Sequence, residues 1–231
     1  MLRVIWRLGR GYRWAGRDRD RLTSGGAMPL PALSGVALRH GLSGLEFGVA
    51  IPATVGGAIR MNAGAHGREM AGVLDQVQVF LLRSGRADTV AAADAGFGYR
   101  RSGLPEDAVV TGGIVRLEPG DPEAIRSQME EAREWRRRTQ PLAEPNCGSV
   151  FQNPPGDHAA RLIDTAGGKG LRVGGAEVSR KHANFIVAGE GARATDVSSL
   201  IREVQALVLR EHGVMLEPEV RLIGAFDDAR R

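Results

Sequence analysis

A chain of 231 residues with 42% hydrophobic and 25% charged side chains has room for one large domain or two modest ones, which excludes a disulfide-stapled miniprotein and a disordered tail. The formal net charge is +4, from 31 basic against 27 acidic residues, and the basic residues other than Lys169 and Lys181 are arginines; their planar forks suit phosphate and carboxylate groups, although an arginine-rich composition explains the count as well. Cys147 is the single cysteine, so an internal disulfide and a Cys/His zinc spacing are both excluded, and with no apolar run of about 18 residues or secretory h-region the expectation is a soluble, cytoplasmic protein with no membrane partner.

The alternation Arg3-Val4-Ile5-Trp6-Arg7-Leu8 predicts an opening strand that ends at Gly9. Arg3, Arg7, Arg10, Arg13 and Arg17 interleave with Trp6, Tyr12 and Trp14 in the manner of a nucleic-acid arm. Acidic residues elsewhere leave no strongly basic domain, so no nucleic-acid partner is expected. Pro29–His40 places Leu30, Leu33, Val36 and Ala37 on one helical face, with Gly41 as the stop. A glycine-dense segment, 44–67, follows. Gln76–Leu82 and Ala108–Leu117 read as strands around an irregular stretch, and Pro122 opens a polar helix to about Arg138. Pro141, Pro145 and Pro154 mark a linker-like passage and the best domain boundary. Beyond it, a helix over Asp157–Ala166 capped by Asp157, a strand over Asn184–Val187, a strongly amphipathic helix over Ala194–His212 stopped by Gly213, and a last strand over Glu219–Ile223 are predicted. Helices and strands mix without strict alternation, so the class is α+β.

Chemistry has few anchors in this pattern. Ile51-Pro52-Ala53-Thr54-Val55-Gly56-Gly57-Ala58 and Met61-Asn62-Ala63-Gly64-Ala65 are rich in small residues that let backbone N–H groups reach phosphate oxygens, or that simply pack as a tight turn. Neither a dinucleotide-fold glycine fingerprint nor a P-loop is present. Ser149, after Gly148, has no nucleophile elbow around it, and Cys147 beside it reads as packing.

Six blocks carry a resemblance in order over nearly the whole chain: Gly44-Leu45-Glu46-Phe47, Ile51–Ala65, Gly98-Tyr99-Arg100-Arg101-Ser102, Pro145–Pro154, Val178–Phe185 and Leu216-Glu217-Pro218-Glu219-Val220-Arg221. They resemble the signatures of UDP-N-acetylenolpyruvoylglucosamine reductases, the MurB family. The resemblance implies the second half of a vanillyl-alcohol-oxidase-type FAD-binding domain over 1–140, a substrate-binding domain over 141–216, and a closing strand and tail, 217–231, that returns to the FAD domain. The Gly-Gly-Gly-Ser-Asn-like loop with which family members wrap the FAD pyrophosphate has no counterpart here, so an N-terminally truncated chain is expected. Ala53, Cys147, Gln152 and Gly168 stand where the family usually has Gly, Ala, Lys and Leu.

The implied activity is reduction of UDP-N-acetylglucosamine-enolpyruvate to UDP-N-acetylmuramate in peptidoglycan synthesis, with NADPH reducing FAD and the flavin delivering hydride. Arg100, Ser149 and Glu219 match the catalytic positions. Ile51, Pro52, Thr54, Gly56, Gly57, Asn62 and Gly64 are the implied cofactor contacts, and Tyr99, Asn153, Lys181 and His182 the implied substrate contacts; no metal is implied, and the oligomeric state is left open. Two alternatives remain at this point: a non-catalytic homologue that binds a UDP-sugar without flavin, and a flavin oxidase acting on another sugar or alcohol.

Overall fold

A computed structural model describes residues 7–224. The chain divides into two compact units, one up to Trp135 and one from Arg136 onward, so the division falls inside the long polar helix.

In the first unit the elements are β1 (Ala15–Asp18), β2 (Arg21–Gly25), α1 (Leu30–Arg39), β3 (Leu42–Ser43), α2 (Val55–Arg60), β4 (Gly64–Ala65), β5 (Arg68–Glu69), β6 (Leu74–Leu81), β7 (Arg86–Ala91), β8 (Ala108–Arg116), β9 (Glu118–Pro119) and α3 (Pro122–Thr139). Antiparallel pairing builds a five-stranded sheet in the order β1-β2-β8-β6-β7. Val77 and Val79 on β6, Val110 and Val115 on β8 and Leu22 on β2 turn inward. Helix α1 buries Leu30, Leu33 and Ala37 against the same core, each leucine contributing about 1.5–3 kcal/mol by leaving water. Gly41, at φ +61°, ends it as expected.

Two departures from the sequence pattern lie at sheet edges. The stretch after Leu82 is not irregular throughout: β7 pairs along β6, but Val90 is its one half-buried residue, so its sequence lacks apolar alternation. The β1–β2 hairpin is likewise unexpected, because buried Leu22 is the one large apolar side chain in its two strands. The predicted opening strand lies mostly outside the described residues, and Arg7 and Leu8 are irregular.

The second unit holds β10 (Asn146–Ser149), α4 (Ala159–Thr165), β11 (Arg172–Val173), β12 (Ala176–Val178), β13 (Phe185–Ala188) and α5 (Ala194–His212). Its four-stranded antiparallel sheet runs β10-β13-β12-β11. Helix α5 has the predicted bounds; it buries Leu200, Ile201, Val204 and Val208 and ends at Gly213 with φ +69°. Three expectations are corrected. The Pro141–Pro154 passage contains a sheet strand, β10. Helix α4 starts after His158, and the cap comes from Asn153, whose Oδ1 accepts the Ala159 N–H at 3.1 Å, while Asp157 turns to the His158 N–H and the Arg161 guanidinium. No strand forms over Glu219–Ile223. A single bridge joins Phe151 to Pro218, and Leu222 and Ile223 remain exposed, so their alternation reflects no buried face. Over the described residues, the closing segment Glu217–Val220 pairs with Val150–Gln152 inside the second unit.

Candidate active site

The small-residue segment of the first unit separates into packing and surface positions. Thr54 caps α2, its Oγ1 accepting the Gly57 N–H at 3.2 Å. The Val55 and Gly56 N–H groups donate to Met28 O and Gly26 O. The first N–H groups of α2 are thus committed within the protein, in keeping with the tight-turn reading of this segment. A Cβ on Gly56 would stand 2.9 Å from Val110 O and 3.0 Å from Gly26 O, so this glycine lets α2 lie directly on the sheet. Pro52, Thr54 and Gly57 instead form an exposed edge beside half-buried Ile51. Gly57 faces open space apart from Thr54 Oγ1. Glu46 of the first block is buried and accepts the Gly44 N–H with both oxygens.

Asn62 is fully buried at φ +42°. Its Nδ2 donates to Gly98 O at 3.0 Å and its Oδ1 accepts the Ala71 N–H at 2.9 Å. That side chain therefore holds the turn carrying Tyr99 and Arg100. Gly98 and Arg101 exchange N–H···O bonds of 3.1 Å around the two central residues, and Arg100 takes the left-handed conformation at φ +55°. For a non-glycine residue this costs about 1–2 kcal/mol. The Arg100 guanidinium donates to Gly64 O at 3.1 Å and stacks over the Tyr99 ring, 4.8 Å from its centre. Tyr99 itself is 47% exposed.

In the second unit, Ser149 follows a bulge. Asn146 pairs with Val187 and Ser149 with Phe185, so β10 carries an extra residue between these pairs. Gly148 supplies φ +82° there, and Asn146 Oδ1 accepts its N–H at 2.9 Å. Such a bulge re-aims the residue that follows, and Ser149 is exposed. Val150 O accepts the Glu219 N–H at 2.8 Å. The Glu219 backbone is thus hydrogen-bonded to the residue that directly follows Ser149, although the two are far apart in sequence. Cys147 is exposed and does not take the packing role expected of it; desolvation pushes its thiol up, against a backbone hydrogen bond that lowers it, which disfavours the nucleophilic thiolate.

The remaining candidates are arranged around this core. Lys181 donates its ammonium to Arg137 O at 2.6 Å. His182 packs edge-on against Phe185 at 4.7 Å, and its Nδ1 accepts the Asn184 N–H. Burial first, and then the charge of Lys169, lower its pKa, so the ring is neutral with its proton on Nε2. Two residues not singled out in the sequence shape this region. Ser179 Oγ accepts the Lys181 and His182 N–H groups, and Asn184 binds both polar groups of the Phe151 backbone. Cavities of about 350 Å³ beside Arg68 and Arg116, and of about 500 Å³ beside Glu144 and Arg172, contain none of the candidates.

Comparison with known proteins matches residues 10–91 to the FAD binding domain model and residues 140–223 to the UDP-N-acetylenolpyruvoylglucosamine reductase C-terminal domain model. A UDP-N-acetylenolpyruvoylglucosamine reductase of Heliobacterium modesticaldum is 47% identical over 96% of this chain and 71% of its own length. The chain belongs to this reductase family. A second relative so named, from Symbiobacterium thermophilum, is also 47% identical, over 90% of this chain and 67% of its own length. The crystal structure of UDP-N-acetylenolpyruvylglucosamine reductase (MurB) from Thermus caldophilus superposes with a TM-score of 0.81 at 41% identity, covering 93% of this chain and 76% of that one. The chain therefore spans about seven tenths of the MurB-family relatives it matches. Its α+β architecture is that of an FAD binding domain followed by the reductase C-terminal domain. The 51–64 candidates fall within the first match, and Ser149, Asn153, Lys181, His182 and Glu219 within the second. Tyr99 and Arg100 lie between the two.

Proposed function

We propose that this chain is the flavin-dependent reductase of the enolpyruvyl group of UDP-N-acetylglucosamine-enolpyruvate, forming UDP-N-acetylmuramate for peptidoglycan, with NADPH as the reductant. The observation that supports the reading is the backbone bond at Val150, by which the Glu219 N–H meets the carbonyl of the residue after Ser149, within the matched reductase domain. FAD fits the exposed edge of the first unit: Gly57 offers open backbone surface where a Cβ would stand, beside exposed Pro52 and the Thr54 hydroxyl. We assign the cofactor contact to Ile51, Pro52, Thr54, Gly57 and Gly64. Gly56 and Asn62 support that surface from within.

Bound flavin, once reduced by NADPH, would supply the hydride that reduces the alkene. Addition of hydride to one alkene carbon leaves negative charge on the carboxyl-bearing side. Arg100, permanently cationic, is assigned to the substrate carboxylate and that developing charge. Ser149 donates the proton to the adjacent carbon, and Glu219 orients or shares that proton. Tyr99, Asn153, Lys181 and His182 are assigned to the nucleotide-sugar; the neutral His182 ring offers its Nε2 proton to an acceptor there.

The test separates the two half-reactions. Ser149→Ala and Glu219→Gln leave flavin bleaching by NADPH within about tenfold of the parent, while substrate-driven reoxidation falls by the ~10²–10⁴ that a general acid contributes. Equal slowing of both half-reactions makes Ser149 structural and removes it from the assignment.

A further inference from the structure

We infer that Asn184 is a positioning residue of this site: its carboxamide takes the place of a missing strand and fixes Ser149 and Glu219 relative to each other. The inference rests on the roles given to those two residues above. Strand β13 begins at Phe185, opposite Ser149, the last residue of β10. Beyond that pair the ladder loses its partner, because the preceding chain turns back: Ser179 Oγ gathers the Lys181 and His182 N–H groups, and the Phe185 N–H donates to His182 O. Residues 150–152 would then carry unpaired backbone groups into the core.

Asn184 closes the gap. Its backbone O accepts the Val150 N–H at 2.9 Å, its Oδ1 accepts the Phe151 N–H at 2.9 Å, and its Nδ2 donates to Phe151 O at 2.8 Å. Asn184 is 4% exposed and Phe151 2%, so no water is at hand to replace those bonds. On the opposite edge the same three residues meet the closing segment: Val150 O accepts the Glu219 N–H, and the Gln152 N–H donates to Glu217 O. The segment 150–152 is held from both sides. Ser149 is attached to its start and Glu219 hangs from its far edge. An apolar side chain at 184 fills the volume but leaves the buried Phe151 N–H and C=O unsatisfied. The segment relieves that by shifting, which changes the separation of Ser149 and Glu219.

Asn184→Ala and Asn184→Asp in the full chain test this. The Glu219 amide donates to Val150 O, yet its hydrogen exchange accelerates by about tenfold or more in Asn184→Ala, as local opening spreads across the segment 150–152; an unchanged rate overturns the inference. In Asn184→Asp the ionised carboxylate faces Phe151 O with an acceptor, whereas the protonated carboxyl again offers one donor and one acceptor. Glu219 amide protection, corrected for intrinsic exchange, and substrate-driven flavin reoxidation both recover in Asn184→Asp as pH falls, relative to the parent. The parent profile accounts for His182, Glu217 and Glu219, the titratable groups nearest this segment, and absence of recovery overturns the inference. Should Asn184→Ala fail to fold by circular dichroism, the Asn184→Asp profile decides alone. In a Ser149→Ala background, Asn184→Ala slows reoxidation by less than about twofold, against about tenfold in the parent, because positioning acts through Ser149; independent losses overturn it. If the parent reduces no enolpyruvyl substrate, the proposed function fails, while amide exchange still decides the placement.

Discussion

Arg100 stands in a backbone conformation that its side chain disfavours, so stability and chemistry separate at this residue. Arg100→Gly removes the left-handed penalty and leaves the unfolding free energy equal or higher by about 1 kcal/mol in urea titration, whereas substrate-driven reoxidation falls at least as far as in Arg100→Lys. That lysine variant keeps the charge but loses the planar fork and slows reoxidation by about tenfold or more. Retained reoxidation in Arg100→Gly removes the residue from the site. His182 makes a second prediction. Its folded pKa lies below the ordinary value, so under acid conditions the unfolded chain binds a proton that the folded chain refuses. Stability is therefore unaffected at neutral pH and declines as pH falls through about 6.5 toward the lower folded value. Thermal melting across that window shows a steeper decline for the parent than for His182→Gln; parallel curves contradict it.

At the scale of elements, neighbouring glycines at the start of α2 separate packing from binding. Gly56→Ala brings a methyl group against two carbonyl oxygens and lowers stability by about 1–3 kcal/mol. Gly57→Ala faces solvent, leaves stability unchanged or raises it by up to about 1 kcal/mol, and weakens FAD binding measured by fluorescence quenching. Undiminished FAD affinity in Gly57→Ala moves the cofactor contact elsewhere. Elements with one buried face were readable directly: Val197, Leu200, Ile201, Val204 and Val208 recur at helical spacing, and α5 takes the expected bounds. Edge elements were not. Arg86–Ala91 has little to bury, and Glu219–Ile223 has strand-like alternation but exposed leucine and isoleucine. The bulge at Cys147–Gly148 depends on pairing with β13, a partner about forty residues away in the chain, and no local pattern announces it.

Across the whole molecule, the order of motifs was more informative than any one of them. The family blocks named Ser149 and Glu219, but only the fold bonds the Glu219 backbone to the residue after Ser149, and Asn184 passes in sequence for an ordinary residue at a strand's start. Its partners are backbone atoms, which leave no trace in the side-chain pattern. Among the described residues no helix is long and apolar enough to cross a membrane. The proposed activity is reduction of an enolpyruvyl nucleotide-sugar through FAD. The most direct measurement equilibrates the full chain with excess FAD under anaerobic conditions, bleaches the flavin with NADPH, and then adds UDP-N-acetylglucosamine-enolpyruvate. Flavin absorbance then returns and UDP-N-acetylmuramate appears by mass spectrometry; flavin that stays bleached, or that never bleaches with NADPH, overturns the proposed function.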